Sequence, residues 1–239
     1  MPTQKIAVVT GANRGLGLEA ARQLARAGMH VVMTARDARA GAEALRKLEQ
    51  EKLPVELRKV DVNSSEDAQA LARYLREQFG RLDVLVNNAG ILPESPGETG
   101  AKSANSLEVS PTTIMAVFNT NTLGAVRMIQ ALAPLMSSGG RIVNVSTGMA
   151  ALHDMGGSYL GYRLSKTALN AVTRVFAADL ASRRISVNAV DPGWVKTDMG
   201  GAGATRTVEQ GVGTIVWLAT APDATESGYF WRDKRKLEW

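Results

Sequence analysis

Apolar runs of strand length alternate with amphipathic stretches of helix length along the whole sequence, and few architectures tolerate that pattern. A strand followed by a helix returns to a parallel neighbour, so repeated βα units build a mostly parallel sheet covered by helices on both faces. Strands are expected at Lys5–Thr10, His30–Thr34, Val55–Val60, Val84–Asn87, Arg141–Val145 and Ile185–Val190, with a weaker one at Gly228–Phe230. Helical periodicity covers Leu16–Ala27, Ala38–Glu51, Ser65–Phe79, Pro111–Met136, Tyr159–Ser182 and Val208–Ala219. The expectation is an α/β fold, a doubly wound, mostly parallel seven-stranded sheet in one domain over residues 1–239. Two irregular stretches, Leu92–Ser110 and the glycine-crowded Gly193–Arg206, read as loops and not as linkers, because the alternation continues across both.

Composition narrows the chemistry. There is no cysteine, and the histidines are His30 and His153, so disulfides and thiolate catalysis are excluded and no metal site is expected. The polar start, Met1 to Lys5, leads into a short apolar run stopped by Gly11, which reads as neither signal peptide nor membrane span. A cytoplasmic protein with no membrane partner is expected. Lys plus Arg number 28 against 23 acidic residues, a net charge of +5, which suits nucleic acid or an anionic small molecule. The C-terminal Arg232, Lys234, Arg235 and Lys236, interleaved with Phe230, Trp231 and Trp239, keep the first in view. No RNA-module signature accompanies them, and no nucleic-acid partner is expected.

The first strand ends in Thr10-Gly11-Ala12-Asn13-Arg14-Gly15-Leu16-Gly17, where a helix begins. Glycines there permit a tight turn and close approach to a pyrophosphate, and the helix N-terminus offers unpaired N–H donors. At the end of the second strand, Thr34-Ala35-Arg36-Asp37 places Ala35 where an acid would hold a ribose hydroxyl. Arg36, with Arg14 from the glycine turn, suits a 2′-phosphate, so NADP(H) is favoured over NAD(H). The plainer alternative is two solvated arginines, with Asp37 capping the next helix.

Tyr162 and Lys166 lie four positions apart near the start of a helical stretch and share one face. A free phenol titrates near 10, and a neighbouring ammonium favours the phenolate, which suits reversible alcohol–carbonyl chemistry.

These motifs, together with Asn87-Asn88-Ala89-Gly90, Asn121, Ser146-Thr147 and Pro192-Gly193-Trp194-Val195-Lys196-Thr197, resemble the short-chain dehydrogenase/reductase family over essentially the whole chain. Within it the sequence looks most like carbonyl-reductase-type members, through Thr34–Asp37, the stretch from Gly161 to Val172, Trp217-Leu218-Ala219 and Phe230-Trp231-Arg232-Asp233. The resemblance implies a Rossmann-type fold. It implies that Asp61 and Val62 hold the adenine, that Asn88, Ala89 and Gly90 line the cofactor, and that Pro192, Gly193, Val195 and Thr197 meet the nicotinamide carboxamide. It gives Asn121 a water in a proton relay from Lys166, and Lys166 the nicotinamide ribose.

The chain departs from the family pattern at the carbonyl-polarising hydroxyl. Two serines usually end the fifth strand, with the second catalytic, whereas here the pair is Ser146-Thr147 and the interval to Tyr162 is lengthened. Either hydroxyl can donate, and both stay candidates. The implied reaction is reduction of a ketone or aldehyde by NADPH, with Tyr162 as proton donor. The other readings are alcohol oxidation by the same groups and a non-catalytic NADP(H) sensor. Leu92, Met149, Trp194 and Met199 are expected to wall an apolar small-molecule substrate, with Gly200–Ala204 as a lid. The long helices leave both a monomer and a homo-oligomer open.

Overall fold

The computed structural model describes residues 4–93 and 105–239, so much of the expected loop Leu92–Ser110 lies outside the described residues. Strands β1 (Ile6–Val9), β2 (His30–Ala35), β3 (Val55–Lys59), β4 (Leu82–Asn87), β5 (Met136–Val145), β6 (Ser186–Val190), β7 (Phe230–Arg232) and β8 (Arg235–Leu237) form one sheet in the order β3-β2-β1-β4-β5-β6-β7-β8. Every neighbouring pair is parallel except β7 and β8.

Side-chain alternation divides the core into two layers. Ala7 and Val9 of β1 face Leu24 of α1 (Gly15–Arg26), Leu48 of α2 (Ala38–Gln50) and Ile215 of α7 (Val208–Thr220). Ile6 and Val8 face the other way, toward Leu75 of α3 (Ser65–Phe79), Met128 of α5 (Gly124–Leu132) and Ala177 of α6 (Leu160–Asp179). The remaining helix, α4 (Pro111–Phe118), packs against α6. Helix starts are set locally: Asp37, Ser64, Ser110 and Thr207 accept backbone N–H bonds at the heads of α2, α3, α4 and α7.

The sheet has eight strands where seven were expected. The weak strand expected at Gly228–Phe230 runs instead from Phe230 to Arg232, and it turns back through Asp233 and Lys234, both at positive φ, into β8. That hairpin turn needs left-handed backbone at two consecutive residues. It also ties down the basic tail: Lys236 pairs with Glu226 at 2.5 Å and lies 3.7 Å from the ring centre of Tyr229, while Trp239 stacks on Phe230.

The expected helix Pro111–Met136 is divided. α4 passes into a π turn at Asn119–Leu123, then α5, then a 3₁₀ turn at Ala133–Leu135, and Met136 already belongs to β5. β5 in turn begins before Arg141, because Met136 pairs with Leu82 and the chain bulges through Ser137–Gly140 before resuming register at Val84 and Arg141. Among the described residues no helix is long and apolar enough to cross a membrane.

The connections from β1 and β4 leave to opposite faces, so a crevice opens at the C-terminal ends of these two neighbours. In open α/β sheets this switch point is where ligands bind. A cavity of about 320 Å³ lined by Gln4, Ile6, His30, Gln78, Phe79 and Arg81 lies at the other end of the strands, away from this crevice.

Candidate active site

The glycine turn hugs the end of β4. Gly11 has φ +63°, and a side chain there would fall 2.9 Å from Ala89 Cα; one at Gly17 would meet Asn88 Nδ2 and the Gly11 carbonyl oxygen, each at 2.4 Å. Only glycine fits both places. Asn88 binds the turn directly, donating from Nδ2 to the carbonyls of Thr10 and Gly11 at 2.9 and 3.1 Å. Thr10 Oγ1 accepts the N–H groups of Asn88 and Ala89, both at 3.0 Å. Asn88-Ala89 therefore locks β4 to the turn that follows β1.

These residues fit a dinucleotide phosphate. No side chain caps α1 at Arg14, and its first turn carries no acid, so its N–H groups and dipole face the crevice uncompensated. Arg36 follows the end of β2 with an exposed side chain, and the Asp37 carboxylate beside it is committed to the Arg39 and Ala40 N–H groups. Arg14 is placed differently from Arg36: its guanidinium pairs with Asp198 at 2.5 Å, both groups being exposed. Asp61 makes an Asx turn with the Asn63 N–H at 2.9 Å, and Val62 packs against Gly124. Thr197 lies against Gly15, and Leu16 and Val195 meet at Gly211, so the segment after β6 closes on the glycine turn. Thr197 Oγ1 accepts the Gly200 N–H at 3.1 Å, and Pro192 offers its carbonyl to Arg206 at 3.0 Å. Asn13 lies within the same turn.

α6 carries both Tyr162 and Lys166. Tyr162 and Lys166 are 8% and 4% exposed, and the ammonium lies 6.0 Å from the phenol ring centre. Lys166 donates to the Val145 carbonyl at 2.7 Å. Burial lowers the Lys166 ammonium to about 8, and burial pushes the Tyr162 phenol up, with the Asp191 carboxylate adding in the same direction. In the protein by itself desolvation of the phenolate dominates the titration of this phenol, although the ammonium lies one helical turn away.

Asn121 occupies the π turn and is 1% exposed. Its Oδ1 accepts the Ile91 N–H at 2.8 Å, and its Nδ2 donates to the Ile91 carbonyl and to Ser165 Oγ, both at 3.0 Å. Ser165 in turn donates to the Tyr162 carbonyl at 2.8 Å. A side chain on Gly90 would lie 3.2 Å from Asn121 Oδ1 and 3.5 Å from Lys166 Nζ, so the end of β4, the π turn and α6 converge.

The two candidate hydroxyls are separated by their partners. Ser146 is buried and donates to Asn170 Oδ1 at 2.7 Å. Thr147 is half-buried, and its oxygen accepts the Met149 N–H at 3.3 Å while its proton is uncommitted among the described residues. Of the expected substrate wall, Leu92, Met149 and Met199 are half-buried. Trp194 is 56% exposed and anchored by its Nε1 to the Gly200 carbonyl at 2.8 Å.

Residue-by-residue reading of the sequence does not single out Ser165, Asn170 or the carbonyl of Val145. Ser165 and Asn170 carried a signal, as polar residues on the buried face of an amphipathic helix; a backbone carbonyl carries none.

The profile of the family described as short chain dehydrogenase matches residues 5–207. Carbonyl reductase [NADPH] 1 of Sus scrofa is 33% identical, the match covering 98% of this chain and 94% of that protein. Among solved structures, carbonyl reductase Sniffer of D. melanogaster superposes with a TM-score of 0.86 at 30% identity, covering 99% of both chains. An NADPH-bound carbonyl reductase from chicken fatty liver gives 0.85 at 28% identity, again over 99% of both.

Proposed function

The chain belongs to the short-chain dehydrogenase family, and with that as premise we propose that it is an NADP(H)-dependent oxidoreductase reducing a ketone or aldehyde to an alcohol. The observation that carries the reading is the convergence of Tyr162, Lys166, Asn121 and the Ser146-Thr147 strand end beside the glycine turn. The names of the carbonyl reductases it resembles support the same cofactor and reaction.

The cofactor, when bound, supplies the hydride that adds to the carbonyl carbon. The uncapped start of α1, with Gly11, Asn13, Gly15, Leu16 and Gly17, takes its pyrophosphate, and Arg36 takes its 2′-phosphate. Arg14, exposed and paired with Asp198, would add its guanidinium to the same phosphate site. Asp61 and Val62 border the adenine end; Asn88, Ala89 and Gly90 line the middle. Pro192, Gly193, Val195 and Thr197 border the nicotinamide end.

Tyr162 gives its proton to the carbonyl oxygen. Its burial keeps the phenol protonated at neutral pH, the state a proton donor needs. Lys166, still largely cationic at pH 7, stabilises the phenolate left behind. Thr147 donates its free proton to the carbonyl oxygen as negative charge develops, and Ser146 holds the strand end against α6 through Asn170. Asn121 fixes Ile91 and the helical turn bearing Tyr162 through its side chain, and in this reading it holds the water that links Lys166 to solvent. Leu92, Met149, Trp194 and Met199 border the substrate, a small molecule of apolar character.

The test is NADPH consumption against a panel of ketones, quinones and aldehydes, with NADH as comparison. Turnover of at least one carbonyl class with preference for NADPH is expected. Binding of NADPH without consumption across the panel contradicts the enzymatic reading.

A further inference from the structure

Asp191 follows β6 directly, and its side chain is 2% exposed. A carboxylate this deep must be paired and hydrogen-bonded. Oδ1 accepts the Gly193 N–H at 2.8 Å, and Oδ2 is paired with the guanidinium of Arg232, the last residue of β7. The parallel register that sets Val190 beside Trp231 brings the two together, and the Asp191 N–H bonds the Trp231 carbonyl at 2.8 Å.

The pair lies on the catalytic strand end. A side chain at Gly148, next to Thr147, would meet Arg232 Nη2 at 2.6 Å and Asp191 Oδ2 at 2.9 Å. The next residue of the hairpin, Asp233, grips the same segment from its other side: it takes Arg206 Nη2 at 2.6 Å on both oxygens, while Arg206 Nη1 holds the Pro192 carbonyl at 3.0 Å. Consecutive residues of one turn thus clamp the chain through Pro192 and Gly193. Among the described residues two charged groups bear on Tyr162: Lys166 on its own helix, 6.0 Å from the phenol ring centre, and the Asp191 carboxylate, which adds to the upward push on the phenol and is itself paired with Arg232.

We propose that Arg232 is a positioning residue for the reaction, neutralising the buried Asp191 carboxylate beside Tyr162 and holding the Pro192–Gly193 segment in place. This rests on the reading of Tyr162 as the proton donor. Without Arg232 the bare carboxylate opposes phenolate formation; without Asp191 that opposition is gone. The two single removals therefore act on the phenol with opposite signs, which a purely structural clamp cannot do.

The experiment is the pH profile of kcat for oxidation of the product alcohol by NADP⁺, the direction in which Tyr162 must lose its proton, in the parent, R232Q, D191N and D191N/R232Q. R232Q is expected to move the rising limb upward by roughly one pH unit, D191N to move it downward, and the double variant to abolish the R232Q displacement. Should R232Q fail to fold with an unpaired buried charge, D191N and the double variant, which leave no bare carboxylate, still carry the test. Limbs that coincide in all variants, or single removals that shift the limb the same way, overturn the proposal while Tyr162 keeps its role. A Tyr162→Phe enzyme as active as its parent overturns both.

Discussion

Lys166 sits one helical turn from Tyr162, yet its hydrogen bond goes to the carbonyl of Val145, and its nitrogen stays 6.0 Å from the phenol ring centre. The lysine is thereby tied to the end of β5. Both groups sit in a pocket whose desolvation works against their charged forms, lowering the ammonium and pushing the phenol up.

That burial has a consequence for stability. The folded protein holds Lys166 at about 8, below its unfolded value of 10.5, so the ammonium disfavours folding while it is charged. Between these values the unfolded chain binds more protons than the folded one, and stability from this group rises with pH. Relative to Lys166→Met, the parent should gain up to roughly 3 kcal/mol as pH climbs from about 8 to 10.5, measured by denaturant unfolding across that range.

The two hydroxyls should separate cleanly. Thr147→Val is expected to lower kcat about a hundredfold with little loss of stability, because the uncommitted proton at the strand end is removed. Ser146→Ala leaves Asn170, whose Nδ2 already lacks a partner among the described residues, without its buried hydroxyl donor. It should cost about 1–3 kcal/mol in unfolding free energy with a smaller effect on kcat. Paired kinetics and thermal melts check the assignment; the reverse pattern exchanges the roles.

Arg36 is exposed and has no acid partner among the described residues, the neighbouring Asp37 being engaged as a helix cap. Arg36→Glu should therefore raise the NADPH KM and lower the NADPH-over-NADH preference in kcat/KM by about tenfold or more, the loss of a charge-assisted phosphate contact. An unchanged preference would leave Arg36 as a solvated surface residue.

At Gly17 a methyl group would fall 2.4 Å from the Gly11 carbonyl oxygen, a backbone atom with nowhere to go. Gly17→Ala should push the glycine turn away from Asn88, destabilising the fold by about 1–3 kcal/mol and weakening NADPH binding, as fluorescence titration of the cofactor would read.

Much of the fold was legible because patterning is local. The unbroken apolar run Ile6–Val9 and the amphipathic Ser65–Phe79 declare a strand and a helix within a single window. The π turn was not: four of the five residues in Asn119–Leu123 are polar, so no apolar spacing marks how that turn is wound, and only the bonds of Asn121 and Thr122 to Ile91 and Ser165 reveal it. β8 was missed because three residues, Arg235-Lys236-Leu237, are too few to show a period, and two of them are charged. At the site, the motifs located Tyr162, Lys166 and the glycine turn. The distinction between Ser146 and Thr147 needed Asn170, twenty-four positions beyond Ser146, and the Asp191–Arg232 pair spans forty-one positions that only the β6–β7 register closes.

The central claim is that the Tyr162 phenol delivers the proton while hydride is transferred to carbon. The direct test is turnover by Tyr162→Phe at saturating NADPH, with cofactor affinity measured in parallel. A fall in kcat of about a thousandfold with NADPH affinity nearly unchanged is the predicted result. Near-parental turnover by the phenylalanine variant would contradict it.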